Sequence, residues 1–124
     1  MPPGDLIRIQ HMRDAALEAL AFTNAKTRED LDRDRKLVLA LVKEMEIIGE
    51  AAFKISKETR EQLPGVPWND IVGMRHRLIH AYFEINLEIV WQTIQKDLPG
   101  LVSVLNLFLD SEPQHFGGGR SGAE

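Results

Sequence analysis

Residues 30–56 read DLDRDRKLVLALVKEMEIIGEAAFKIS. Apolar residues fall at Leu37, Val38, Leu41, Val42, Met45, Ile48, Ala52 and Ile55, the three- and four-residue spacing that lines one face of an α-helix. Leu39, Ala40 and Ile47 widen that face, so the helix is expected to be long and central. Gly49 interrupts it at a cost of about 1 kcal/mol relative to alanine, which predicts a close crossing by another helix. Glu46 and Glu50, one turn apart, share a face with Lys43 and Lys54. That spacing suits exposed ionic contacts; alternatively, one of the two carboxylates orients Arg75 across the core.

Outward from this helix the pattern stays helical. From Leu6 to about Phe22, apolar residues recur at Ile9, Met12, Ala16, Leu17, Leu20 and Ala21. Arg28, Arg33, Arg35 and Lys36 alternate with Glu29, Asp30, Asp32 and Asp34, which reads as the solvated start of a helix rather than a binding patch. On the other side, Leu63-Pro64-Gly65-Val66-Pro67 is a turn by composition and ends whatever helix Lys57 to Gln62 forms. Trp68-Asn69-Asp70 then opens a helix that runs to about Phe83–Asn86, with Asn69 or Asp70 capping its first turn. A last helix begins near Leu87, with Ile89, Val90, Ile94, Leu98, Leu101, Val102, Leu105 and Leu109 on its apolar side. Pro99 should kink or split it near Asp97.

Prolines stand only at positions 2, 3, 64, 67, 99 and 113, and no strictly alternating run of strand length lies between them. The expectation is an all-α, up-and-down bundle of four to five helices over residues 1–110, with a tail over 111–124 of linker-like composition. A chain of 124 residues, 44% apolar and 27% charged, is an ordinary globular chain of one-domain size. It has no cysteine, which excludes disulfides and thiolate chemistry. The longest apolar run is too short to span a bilayer, and no secretory signal pattern is visible, so a cytoplasmic location without membrane contact is expected. A net charge of −4 argues against a broad basic surface for nucleic acid; any RNA contact has to be local.

Positive charge does gather in Arg75, His76, Arg77 and His80. At about 100° per residue, Ile71, Val72, Leu78, Ile79 and Tyr82 fall within about 60° of Arg75. The stripe that should meet other protein therefore has a guanidinium at its centre. Burying that charge unpaired costs several kcal/mol, so either a carboxylate answers it or it awaits an anion such as phosphate. Tyr82, seven positions on, points the same way as Arg75. A stripe of this kind suits a dimer seam better than a monomer core, because a two-fold axis brings each motif to its copy and an RNA phosphate relieves the repulsion of two arginines.

His76 and His80 are four residues apart, with Glu84 four further, a spacing that can chelate a metal ion. No second cluster completes the shell, and no metal or other cofactor is expected. The other chemistry available is RNA phosphodiester cleavage. A neutral histidine, His80, takes the 2′-hydroxyl proton while Arg75 stabilises charge growing on the phosphate. The spacing alone fits equally well a His80 that caps a helix end and an Arg75 that is a buried structural cation.

The run from Ile71 through Gly73-Met74-Arg75-His76-Arg77-Leu78-Ile79-His80-Ala81-Tyr82-Phe83 resembles the signature of HEPN domains, here in the form Arg-x4-His-x-Tyr. Glu46-Ile47-Ile48-Gly49-Glu50-Ala51-Ala52, Pro67-Trp68, Leu87-Glu88-Ile89-Val90-Trp91 and Asp97-Leu98-Pro99 are similar to the HepT-like branch of that superfamily. The likeness runs from about Leu6 to Leu109. It implies a helical homodimer whose paired motifs form one metal-independent endoribonuclease site, in a toxin neutralised by an MNT-type nucleotidyltransferase antitoxin. On that likeness Arg75 stabilises the phosphate and His80 is the acid/base. His76 fills the polar position beside the arginine, where asparagine is frequent, and Tyr82 is the tyrosine that the antitoxin modifies with AMP. The competing expectation is a non-catalytic helical adaptor, or a nucleotide-binding partner of a nucleotidyltransferase.

Overall fold

Asp34 divides the long helix expected over residues 30–56. Its backbone is extended (φ −121°, ψ 91°) and its side chain accepts a hydrogen bond from the Leu37 N–H at 3.1 Å, so a residue that competes with the helix from within caps it instead. In this computed structural model, which describes residues 1–78 and 84–111 and the backbone alone of Arg75 and Leu78, the outcome is a short α2 (Arg28–Arg33) and a long α3 (Arg35–Lys54). The Thr27 N–H donates to Asp30 Oδ2 at 2.7 Å and fixes the start of α2. The mixed charges there are solvated ion pairs, as expected: Arg28 meets Asp32 at 3.3 Å and Glu88 at 3.1 Å, and Arg33 meets Asp30 at 3.6 Å.

The first helix, α1, spans Pro3–Phe22 and runs antiparallel to α3, its Arg8 reaching the Lys54 carbonyl. Its inward face is Leu6, Ile9, Met12, Ala15, Ala16 and Ala19. Leu17 and Ala21, expected on that face, are exposed. The spacing 9, 12, 16, 19 is helical, and its last two positions are fully buried alanines.

A short α4 (Lys57–Glu61) precedes the proline turn, and two five-residue helices follow it, α5 (Trp68–Val72) and α6 (Met74–Leu78). The single helix expected there is interrupted at Gly73. Pro67 rather than Asn69 or Asp70 holds the N-cap position of α5, with no side-chain cap. Trp68 anchors it instead. Its indole N–H donates to the carbonyls of Arg60 and Leu63 at 3.2 and 3.1 Å, and the Arg60 guanidinium lies over the ring at 5.6 Å.

The last rod is continuous from Leu87 to Ser111: α7 (Leu87–Gln92), a π-helical turn (Thr93–Asp97) and α8 (Leu98–Ser111). The Asn86 side chain caps it by accepting from the Ile89 N–H at 3.0 Å. Pro99 neither splits nor ends the rod. The wider turn just before it absorbs the missing donor and the ring's crowding of the carbonyl four residues back, with the Leu98 N–H reaching the Thr93 carbonyl.

The fold is therefore an all-α bundle, as expected, in which α1, α3 and the α7–α8 rod enclose the core. Ile9 and Met12 from α1, Leu41, Met45 and Ile48 from α3, and Ile94, Leu98 and Leu105 from the rod are all fully buried. Among the described residues no helix is long and apolar enough to cross a membrane. The segment expected as a tail lies, from residue 112 on, outside the described residues.

Candidate functional site

Gly49 determines where the motif helix sits. A Cβ there would come within 3.3 Å of the Ile71 carbonyl oxygen, so α5 crosses α3 backbone to backbone, the close crossing that a glycine inside the apolar helix predicts. Ile71 and Met74 point inward and are buried. Ile71 therefore belongs to the core of the single chain, not to an intersubunit stripe, because the break at Gly73 resets the helical phase between it and Arg75. With α5 pinned by Trp68 and by this crossing, the four residues Arg75, His76, Arg77 and Leu78 follow on α6 in a fixed place beside α3.

His76 and Arg77 are exposed. His76 faces a groove of about 870 Å³ together with Val72, the α3 residues Lys43, Glu46, Glu50 and Lys54, and Arg8 and His11 from α1. Three of the residues singled out in the sequence, His76, Glu46 and Glu50, thus meet in one concavity. Glu50 makes the exposed contact that its spacing suggested, with Lys54 Nζ 3.8 Å from its Oε2. His80 and Tyr82 lie outside the described residues, as does the Arg75 side chain. Arg77 points to the other side of α6, into a second cavity of about 340 Å³ that it shares with Met74, Asp70, Lys96 and Asp97 beside the π-helical turn.

Arg8 and His11 were not expected at this site. The only signal was their place on the polar side of α1, in line with Ile7, and a solvated surface reads the same. What holds α1 in position to supply them is the buried Asp5. It accepts from the hydroxyls of Ser56 and Thr59, both at 2.7 Å, and from the Ser56 N–H at 3.3 Å, with Arg8 3.9 Å away. Burial by itself would raise the Asp5 carboxyl, but the hydrogen bonds from Thr59 and Ser56, with Arg8, outweigh it and hold the group below the ordinary carboxylate value. The α3 C-terminus is fastened nearby, with Arg60 Nη2 donating to the carbonyls of Ala52 and Phe53 at 2.9 and 3.3 Å.

A further carboxylate, Glu44, is buried between α3 and α1. Burial, and then the hydrogen bond and charge of Glu18 opposite, push it up to about 7. It sits away from the groove, on the side of α3 that packs against α1.

Residues 12–107 match the family described as ribonuclease HepT-like. The chain is 45% identical over 84 residues to a protein of Caldanaerobacter subterraneus subsp. tengcongensis named as a putative RNase, covering 68% of this chain and 75% of that one. It is 38% identical over 80 residues to the probable ribonuclease HepT of Thermococcus cleftensis, covering 64% and 73%. It is also 34% identical over 86 residues to a Methanocaldococcus jannaschii protein named as a putative RNase, covering 69% and 79%. No solved structure gives a significant match.

Proposed function

The chain belongs to the HepT-like ribonuclease family, and from that premise we propose that it is the toxin of a toxin–antitoxin pair, a metal-independent endoribonuclease that acts as a homodimer. The observation that carries this reading is the family match over residues 12–107, which contains the Arg75-x4-His80-x-Tyr82 run on and just after α6. Residues 1–110 are the catalytic helical domain in this reading. His80 accepts the proton of the 2′-hydroxyl as its oxygen attacks the adjacent phosphorus. The bond to the 5′-oxygen breaks, that oxygen takes up a proton, and a cyclic phosphate and a free 5′-hydroxyl remain. Arg75 balances the charge that accumulates on the non-bridging oxygens, and His76, on the groove side of α6, contacts the substrate beside it.

Local geometry makes this compatible with an acidic chain. The groove that His76 faces carries Arg8 and His11 from α1 opposite Glu46 and Glu50 of α3, so a local contact with RNA phosphate is available at its α1 edge although the net charge is −4. Control runs through Tyr82, which an MNT-type nucleotidyltransferase antitoxin modifies with AMP; the added phosphate places a negative charge and bulk where the RNA phosphate binds.

The purified chain, incubated with RNA, cleaves it with and without a chelator, and His80→Ala abolishes the cleavage. Activity lost to chelator and restored by added metal overturns the metal-free chemistry. An unimpaired His80→Ala overturns the catalytic assignment and leaves the non-catalytic adaptor, which predicts no growth arrest when the chain is expressed alone.

A further inference from the structure

Along the solvent side of α3, Leu39, Lys43, Ile47, Glu50 and Lys54 recur at four-, four-, three- and four-residue intervals and form one stripe. It is unusual for a free surface. Leu39 is 49% exposed and Ile47 36%, and Phe53 at its edge is 66% exposed, and Lys43, Ile47, Glu50 and Lys54 form one wall of the groove that His76 faces. Lys43 and Glu50 stand on either side of Ile47, about 6 Å before it and about 4.5 Å after it along the helix axis. From Lys43 through Ile47 to Glu50 the order of chemistry is positive, apolar, negative, and over that span an antiparallel copy of the same helix presents the complementary order.

We infer that this stripe is the seam of the homodimer: two copies of α3 cross antiparallel about a two-fold axis at Ile47. This rests on the dimer in the proposed function and gives it a surface and a register. Ile47 packs on its own copy at the axis. Lys43 faces the partner's Glu50, and Glu50 faces the partner's Lys43. Phe53 and Leu39 lose their exposed surface to the other copy. An isologous contact has to be self-complementary in this way. Lys43 has no ion-pair partner among the described residues, and Glu50 holds only the long contact to Lys54, so both are available for a better-placed partner. A nucleic acid strand fits the stripe poorly because it would meet Glu50 and Glu46 along with the lysines. Since Val72 and His76 border the same groove, the seam sets the two motif helices on either side of one axis.

The test is charge reversal with rescue, read as molar mass by light scattering and as the dimer dissociation constant by sedimentation. Circular dichroism confirms that each variant is folded. Lys43→Glu and Glu50→Lys each place two like-charge pairs in the seam and raise the dissociation constant by more than about tenfold. Mixing the two single variants restores a one-to-one heterodimer, because every pair across that seam is again of opposite sign, and the double variant dimerises by itself. If the single variants remain as dimeric as the parent, or if neither the mixture nor the double variant recovers, the seam is wrong while the dimer stands. A parent chain that is monomeric at micromolar concentration overturns both.

Discussion

Gly49 and Ile71 bring two helices into backbone contact: a Cβ on Gly49 would meet the Ile71 carbonyl oxygen at 3.3 Å. Gly49→Ala therefore sets two effects against each other. Alanine is the better helix former by about 1 kcal/mol, whereas overfilling a close contact costs about 1–3 kcal/mol. The atom that must yield is backbone, on a helix held by Trp68, so the second effect prevails. The variant should be destabilised by roughly 1 kcal/mol, seen as a lower melting temperature. RNA cleavage should fall further than that loss explains, because α5 leads directly into α6. An unchanged or raised melting temperature would show that α5 gives way freely.

The same contact shows what the sequence makes legible. A glycine inside a strongly periodic apolar helix has few explanations, so the crossing could be anticipated before its partner was known. Local competition was harder to read. Asp34 looked like one more charge on a helix face, and only its hydrogen bond to the Leu37 N–H distinguishes a cap from a surface residue. Pro99 looked like a break because the rule for proline is local, while the relief is a π-helical turn that the surrounding packing has to support. At the site, His76, Glu46 and Glu50 were identified from spacing and likeness. Arg8 and His11 were not, because nothing on α1 indicates that its polar side faces α6 across α3.

Glu44 supplies a pH dependence of known sign. Its value in the fold, about 7, lies above the ordinary 4.5, so the folded chain favours the protonated form. Its contribution to stability is fully present below pH 4.5 and is lost as the pH rises through 7. Glu44→Gln keeps the shape and removes the titration. Unfolding measured from pH 5 to 8 should show parent and variant diverging, with the variant more stable at pH 8 by on the order of 1–2 kcal/mol. Parallel curves over that range would mean that Glu44 is ionised at no cost against Glu18.

Asp5 gives the opposite dependence. Its carboxyl is held below the ordinary 3.8, so its stabilisation is present above that value and is lost as the pH falls through the folded one. Asp5→Ala strands the hydroxyls of Ser56 and Thr59 and should cost about 2–4 kcal/mol at neutral pH; Asp5→Asn, able to accept but not charged, should cost less. The acid-unfolding midpoint should also lose part of its steepness in both variants. If Asp5→Ala unfolds at the same denaturant concentration as the parent, the link between α1 and α4 is held by packing and not by this carboxylate.

His76 tests whether the groove side of α6 takes part in cleavage. Its side chain is exposed, with no hydrogen bond among the described residues, so replacing it should move the melting temperature by no more than about 3 °C, as surface substitutions usually do. A residue that contacts RNA beside the reacting phosphate behaves differently from one that merely covers surface. His76→Ala should lower kcat/KM by roughly 10- to 100-fold, equivalent to about 1.4–2.7 kcal/mol of transition-state stabilisation. His76→Asn, which keeps a hydrogen-bonding group at the position, should recover most of that loss. Equal defects in both variants would assign the position to imidazole chemistry, and no defect in either would remove it from the site.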